Sequence, residues 1–192
     1  MTTANLLGFA SRVYLGEVAE VCAALPQLIE EARARGDRLA AASLAAGLPN
    51  LAWLCMDKPN EAQRRIDEAM SLWGQRDFQL QHYLDLIARV HIDLYLGDGD
   101  AAFKRVTDMW PALWRSFYLM VQNFRITLWH LRARAAIAAA VNLKKRKGSP
   151  WFLWRRARFD ELLRSAEGDA GRIAREDMEW AAPLASSLRA AI

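Results

Sequence analysis

The stretch that decides the fold runs from Asp37 to Ser116. It divides into two aligned segments, DRLAAASLAAGLPNLAWLCMDKPNEAQRRIDEAMSLWGQR (37–76) and DFQLQHYLDLIARVHIDLYLGDGDAAFKRVTDMWPALWRS (77–116). Asp37 recurs as Asp77, Leu44 as Leu84, Leu54 as Leu94, Ala62 as Ala102 and Arg65 as Arg105. Ile66 becomes Val106 and Glu68 becomes Asp108 in the same register. A period of about 40 residues is the signature of stacked helix pairs, in which one repeat cannot bury its own apolar face. The echo therefore directs attention to surfaces and away from a catalytic pocket.

Working outward, punctuation residues divide the whole chain into helices. The spacing predicts a first pair over 3–14 and 16–35, parted near Leu15-Gly16. In Arg35-Gly36-Asp37 the glycine suits the position after a helix end and the aspartate an N-cap. A helix over 38–56 should kink at Gly47-Leu48-Pro49. Pro59 suits the first turn of the next helix, 59–75, and Glu61 its third position. There Ala62, Ile66, Ala69, Met70 and Trp73 make an apolar face opposite Gln63, Arg64, Asp67 and Glu68. Helices over 78–96, 100–120 (bent at Pro111) and 121–142 follow, then a polar loop from Lys144 to Pro150 and a helix over 151–166. Gly168-Asp169 reads as a stop and cap before a last segment, 169–190, bent at Pro183. The expected fold is all-α, a tetratricopeptide-like right-handed superhelix in a single domain, 1–192. Its repeats are 3–36, 37–76, 77–118 and 121–168, with a C-terminal capping helix over 169–190. Trp53, Trp73, Trp110, Trp114 and Trp129 are read as fillers between helix pairs, with an exposed aromatic groove as the alternative.

Composition removes other classes. With 53% apolar and 25% charged residues, the 192-residue chain is that of a globular domain, not a disordered segment. No apolar run reaches the roughly 18–20 residues needed to cross a bilayer. The start, Met1-Thr-Thr-Ala-Asn, lacks the positive region of a secretory signal, which predicts a cytoplasmic protein. Cys22 and Cys55 sit in apolar stretches without a CxxC pair and read as core thiols in a reducing compartment. His82, His91 and His130 show no metal spacing, Asp98-Gly99-Asp100 lacks the downstream glutamate of a calcium loop, and no GxSxG occurs. Neither a metal, a cofactor nor a catalytic site is expected. Charge is uneven: residues 1–96 carry nine Lys/Arg against twelve Asp/Glu, net −3, and residues 97–192 seventeen against ten, net +7.

Three clusters are candidate binding residues. His82, Asp85 and Arg89 fall on one face of the 78–96 helix and could orient a carboxylate or a peptide backbone, or form a solvated ion-pair stripe. Arg125, Trp129 and Arg132 share a face of the 121–142 helix and suit an acidic peptide through ion pairing and cation–π contact. Alternatively, Trp129 is core and the arginines reach outward. The six would line one concave groove. A basic patch of Lys144, Lys145, Arg146, Lys147, Arg155, Arg156 and Arg158, interleaved with Trp151, Phe152 and Trp154, could meet an anionic surface.

The segment from Leu48 to Ser116, with LWHLRARAAIAAA (128–140) and EWAAPLASSLRA (179–190), resembles the tetratricopeptide-like C-terminal region of bacterial eukaryotic-like serine/threonine protein kinases. The resemblance runs with gaps from Gly16 to Ala190 and is densest over 48–140. It implies a regulatory, protein-binding module. The glycine-rich phosphate loop, His-Arg-Asp and Asp-Phe-Gly of the kinase domain are missing, so phosphotransfer is not expected. The chain fits either part of a longer kinase or a free-standing relative. A protein or peptide partner is expected, a homo-oligomer is compatible, and specific nucleic-acid binding is not expected. The rival readings are a small-molecule sensor with its ligand inside the superhelix and a basic adaptor for nucleic acid or anionic lipid acting through 144–158.

Overall fold

In a computed structural model, which describes residues 8–9, 11–13, 15–71, 78–145 and 152–192, the regular elements are all helical. Trp73, Asp77, Arg146, Lys147 and Trp151 lie outside the described residues, as does most of the expected 3–14 helix. The chain forms two compact units, Met1–Tyr95 and Leu96–Ile192. Leu96 is uncharged, so the boundary coincides with the charge asymmetry, and the first unit carries the net −3 and the second the net +7.

The first unit contains α1 (Val18–Ala34), α2 (Arg38–Ala45), α3 (Leu51–Cys55), α4 (Pro59–Met70) and α5 (Leu80–Tyr95). The expected punctuation between α1 and α2 is present. Gly36 takes φ +67°, and the Asp37 carboxylate accepts from the Ala40 N–H at 3.0 Å. An N-cap of this kind contributes about 1 kcal/mol. Val21, Leu25, Ile29 and Ala32 form the buried stripe of α1, and Ala62, Ile66 and Ala69 that of α4. All of these except Ala69, which packs with Ala42 and Ala45, meet Leu44, Trp53, Ala88 and Ile92 in one core. Each fully buried Leu or Ile contributes about 1.5–3 kcal/mol.

The 38–56 segment is broken rather than kinked. Gly47 adopts φ +67°, ψ −150°, which separates α2 from a 3₁₀ turn at Leu48–Asn50 that leads into α3. That torsion belongs to glycine, and a Cβ at Gly47 would stand 2.7 Å from Leu84 Cδ2. The Gly47 N–H instead donates to the Leu84 carbonyl at 2.9 Å. Buried Asn50 ties the break together, with its Nδ2 donating to Ala45 O at 2.8 Å and to Ala62 O at 3.1 Å. A carbonyl left over at the end of α2 thus finds a side-chain donor.

The second unit contains α6 (Gly99–Arg115), a 3₁₀ turn at Phe117–Met120, α7 (Gln122–Lys145), α8 (Phe152–Ala174) and α9 (Ala182–Ala191). Gly97 takes φ +77°, and Asp98 caps α6 by accepting from the Ala101 N–H at 2.9 Å. α7 is the centre of this unit: α6, α8 and α9 all pack against it. Its Ala133, Ala135, Ala136, Ala139 and Ala140 are buried, and these small side chains allow close approach. The approach is tight at Gly99, where a Cβ would lie 2.3 Å from the Ala138 carbonyl carbon.

Two expectations fail here. Gly168-Asp169 does not end a helix, since α8 runs unbroken to Ala174. Asp169 is fully buried and serves as an interior anchor for arginines, not as an N-cap. The turn falls later, at 175–181, where Asp177 takes φ +52°. Pro183 then opens α9 in its first turn and does not bend a longer helix.

Candidate functional site

The expected groove residues fall in different units, and each set is described within its own unit. In the first, Arg89 Nε donates to Asp85 Oδ1 at 2.7 Å, one turn away on α5, and its Nη2 to Asp67 Oδ1 on α4 at 2.8 Å. Burial disfavours the guanidinium charge, but the two carboxylates outweigh it and hold the pKa above its ordinary value. His82 turns toward the start of its own helix, where Nδ1 accepts from the Gln79 N–H at 3.0 Å beside the Phe78 ring. The stripe thus stitches α5 to α4 and closes a helix end.

In the second unit, Arg125 forms a two-pronged pair with Glu176, Nε to Oε1 at 2.6 Å and Nη2 to Oε2 at 2.7 Å. Its Nη1 donates to Leu119 O at 2.9 Å, so one guanidinium fastens the 3₁₀ turn before α7 to the turn after α8. Hydrogen bonding from Arg125 pulls the Glu176 carboxyl below its usual range. Trp129 packs partly buried against the core, with the Arg125 guanidinium 5.6 Å from its ring centre. Arg132 grips Asp169 with both prongs, at 2.7 and 2.6 Å, and stacks 3.7 Å above the Trp110 ring. Arg172 Nη1 adds a further bond to Asp169 at 2.7 Å. Such bidentate, charge-assisted bonds fix both partners in place. On the neighbouring face of α7, burial and then the charge of Arg134 pull the His130 imidazole down to about 4.

The basic patch is divided. Lys144, Lys145 and Arg156 are exposed. Arg155 Nη2 donates to the Leu143 carbonyl at 2.6 Å, which satisfies the end of α7. Arg158 pairs with Glu161 at 2.8 Å and lies 5.6 Å from the Phe103 ring centre. Trp154 is 61% exposed beside Arg158 and Phe103 in a cleft of about 270 Å³.

Three features went unrecognised in the sequence. The first is a carboxylate–guanidinium ladder in which Glu30, Arg33, Glu61, Arg64, Arg65 and Glu68 join α1 to α4. Arg33 reaches Glu68 at 2.8 Å, and Arg65 reaches Glu61 at 2.7 Å and Glu30 at 3.1 Å. Its spacing in α4 was visible as i, i+3 and i+4 pairs. Hydrogen bonding from Arg64 leads the effects that lower the Glu61 carboxyl to about 2. The second concerns the cysteines: Cys55 is exposed, contrary to its expected place in the core, while Cys22 is half-buried against it.

The third is an exposed apolar patch where α6 ends. Trp114 is 70% exposed, contrary to its expected place in the core, and Phe117 79%, Met120 75% and Val121 49% exposed accompany it. The patch follows from local geometry. α6 stops at Arg115, Ser116 is extended, and the 3₁₀ turn exposes Phe117 and Met120 while Arg125 holds its carbonyls. Between Asp108 and Asp160 the chain carries no acidic residue, and exposed Arg115 lies within the patch. Large apolar side chains exposed together within one short segment are of the kind through which folded domains make contacts.

Among the described residues no helix is long and apolar enough to cross a membrane, and no group of His, Cys, Asp and Glu is arranged to hold a metal ion. Set against family models, curated proteins and solved structures, the chain matches none of them.

Proposed function

We propose that this chain is a non-catalytic protein-interaction module of the tetratricopeptide-like kind, a relative of the C-terminal regulatory region of bacterial serine/threonine kinases. The kinase relationship and the repeat superhelix rest on the resemblance of residues 48–140 and on the 40-residue echo. The observation that carries the interaction role is the patch of Trp114, Phe117, Met120 and Val121, exposed on a turn that Arg125 fastens in place.

This reading moves the main contact away from the six expected groove residues. Arg89, Arg125 and Arg132 already have carboxylate partners within their own units, so capturing a peptide there would first break strong bonds. The 114–121 turn needs no such rupture. Its chemistry suits a peptide segment with one or two large apolar anchors and acidic flanks, the anchors packing on Trp114 and Phe117 and the acids facing Arg115.

A random peptide display library panned against the full chain tests this. Enriched peptides should carry an apolar anchor beside Asp or Glu and should lose at least tenfold in affinity against Trp114→Ala/Phe117→Ala, with the melting temperature retained. Enrichment indifferent to that double variant sinks the patch. If binding is instead abolished by neutralising Lys144, Lys145 and Arg156 and falls steeply with salt, the basic end of α7 is the contact and the adaptor reading replaces this one.

A further inference from the structure

Cys22 and Cys55 lie 33 positions apart in sequence, on α1 and at the last residue of α3, and the α1 thiol rests against the α3 turn that ends at Cys55. Cys22 Sγ donates to the Ala52 carbonyl at 3.4 Å. That carbonyl also accepts from the Met56 N–H at 3.1 Å, so it belongs to the turn on which Cys55 sits. The Cys22 sulfur therefore rests on the backbone of the turn that carries the second thiol. Both thiols are free.

Their surroundings differ in a way that orders the chemistry. Cys55 is exposed and ends α3, where the backbone leaves the helix through Asp57 at φ +55°. Its neighbours there include the Tyr95 hydroxyl, which donates to Asp57 Oδ1 at 2.6 Å. Cys22 is half-buried, packed against the core near Ala52 and Trp53. Burial first, and then the nearness of Cys55, push the Cys22 thiol up. An exposed thiol reacts with dissolved disulfides, whereas a sheltered, protonated one waits for a partner brought to it.

We propose that Cys22 and Cys55 are a dithiol site that closes into an intramolecular disulfide by exchange with a low-molecular-weight disulfide. The Cys55 thiolate attacks one sulfur of the small disulfide. An S–S bond forms to Cys55 and the small molecule's own S–S bond breaks, releasing one thiolate. Cys22 then gives its proton to water and attacks Cys55 Sγ. The Cys22–Cys55 bond forms, the mixed disulfide breaks, and the second small thiolate leaves. The two protein thiols are oxidised by two electrons and the small disulfide is reduced to two thiols. The closed form staples α1 to α3 around α2 and the Asn50 turn, so it should melt higher than the open form. The site is a redox-sensitive clamp on the first unit, separate from the apolar patch of the second.

The test treats the native full chain with glutathione disulfide and follows intact mass and non-reducing peptide maps. The wild type should lose two hydrogens, yield a peptide linking residues 22 and 55, and melt higher. Cys22→Ser should stop at a glutathione adduct on Cys55, and Cys22→Ala should do the same should the serine disturb packing. Cys55→Ser should remain unmodified. Resolution of the wild-type mixed disulfide should accelerate as pH rises toward the elevated Cys22 value. A wild-type chain that halts at the adduct, links two chains through Cys55, or forms the 22–55 bond only after denaturation overturns the proposal. So does a Cys55 that fails to react.

Discussion

The two units use the same pairing of arginine with carboxylate in opposite settings. In the acidic first unit the ladder between α1 and α4 is largely exposed, with Arg33 and Glu68 each 38% and Glu30 62% accessible. In the basic second unit Arg132 is 16% exposed and its partner Asp169 not at all. An exposed pair gains little, because water solvates both charges nearly as well when they are apart. A buried carboxylate has no such alternative, and loss of its partner leaves a charge stranded in the interior. Among the described residues, counting ion pairs would rank the first unit as the more tightly held. Burial reverses that ranking.

The largest expected effect therefore falls on the second unit. Arg132→Ala should destabilise it by about 3 kcal/mol, somewhat less than a fully orphaned charge because Arg172 remains near Asp169. Urea unfolding of the full chain, resolved by hydrogen exchange into the two units, measures this. Arg132→Met combined with Asp169→Leu should recover most of the loss. Should the double variant be as unstable as the single one, the stranded-charge account is wrong.

The glycines sharpen the contrast. Gly99→Ala places a methyl group against backbone atoms of α7 that cannot yield cheaply, and about 3 kcal/mol is expected in the second unit. Gly47→Ala meets a movable Leu84 side chain but forces a glycine-only torsion, and about 2 kcal/mol is expected in the first. Equal and small losses would mean that neither approach is tight.

Acid should also separate the units. The unfolded chain protonates His130 near pH 6.5, whereas the folded chain resists down to about 4. Stability of the second unit is thus complete above about pH 6.5, is lost progressively as pH falls, and stops falling from this source below about 4. At pH 5 the loss approaches about 2 kcal/mol. The carboxylates of the first-unit ladder act later. Glu61, lowered to about 2, contributes stability that is full above about 4.5 and disappears as pH drops toward 2. Melting followed from pH 7.5 to 4.5 should show the second unit softening first, and His130→Gln should flatten that slope. The smallest change is at the surface: Arg33→Ala should cost under about 1 kcal/mol and fade further in high salt.

Much of the helical grammar was legible because it is local. Asp37 and Asp98 announce their caps, Gly36 and Gly97 their left-handed turns, and Pro59 its first-turn place, each within a few residues of its partner. The errors arose where a residue's role is set by something distant. Asp169 looks like a cap beside Gly168 until Arg132, 37 positions earlier in the chain, claims its carboxylate. Trp114 continues an apolar spacing that elsewhere marks the core, and nothing in that spacing tells that α6 ends one residue later. The groove arginines show the same limit. Their positions on a helix face were readable, but Glu176, Asp67 and Asp169, which occupy them, lie on other elements.

The central place of α7 has a consequence for how the second unit comes into being. Its neighbours are consecutive in the chain, α6 before it and α8 and α9 after it, so each can dock soon after it is made without closing a long loop. A mast that contacts every other helix of its unit is also where the rate-limiting step should gather, with its mid-length alanines ordered before the flanking helices are complete. The acceleration of unfolding on shortening α6 or α9 and the slowing of folding on loosening Ala136 are the two signatures of that order.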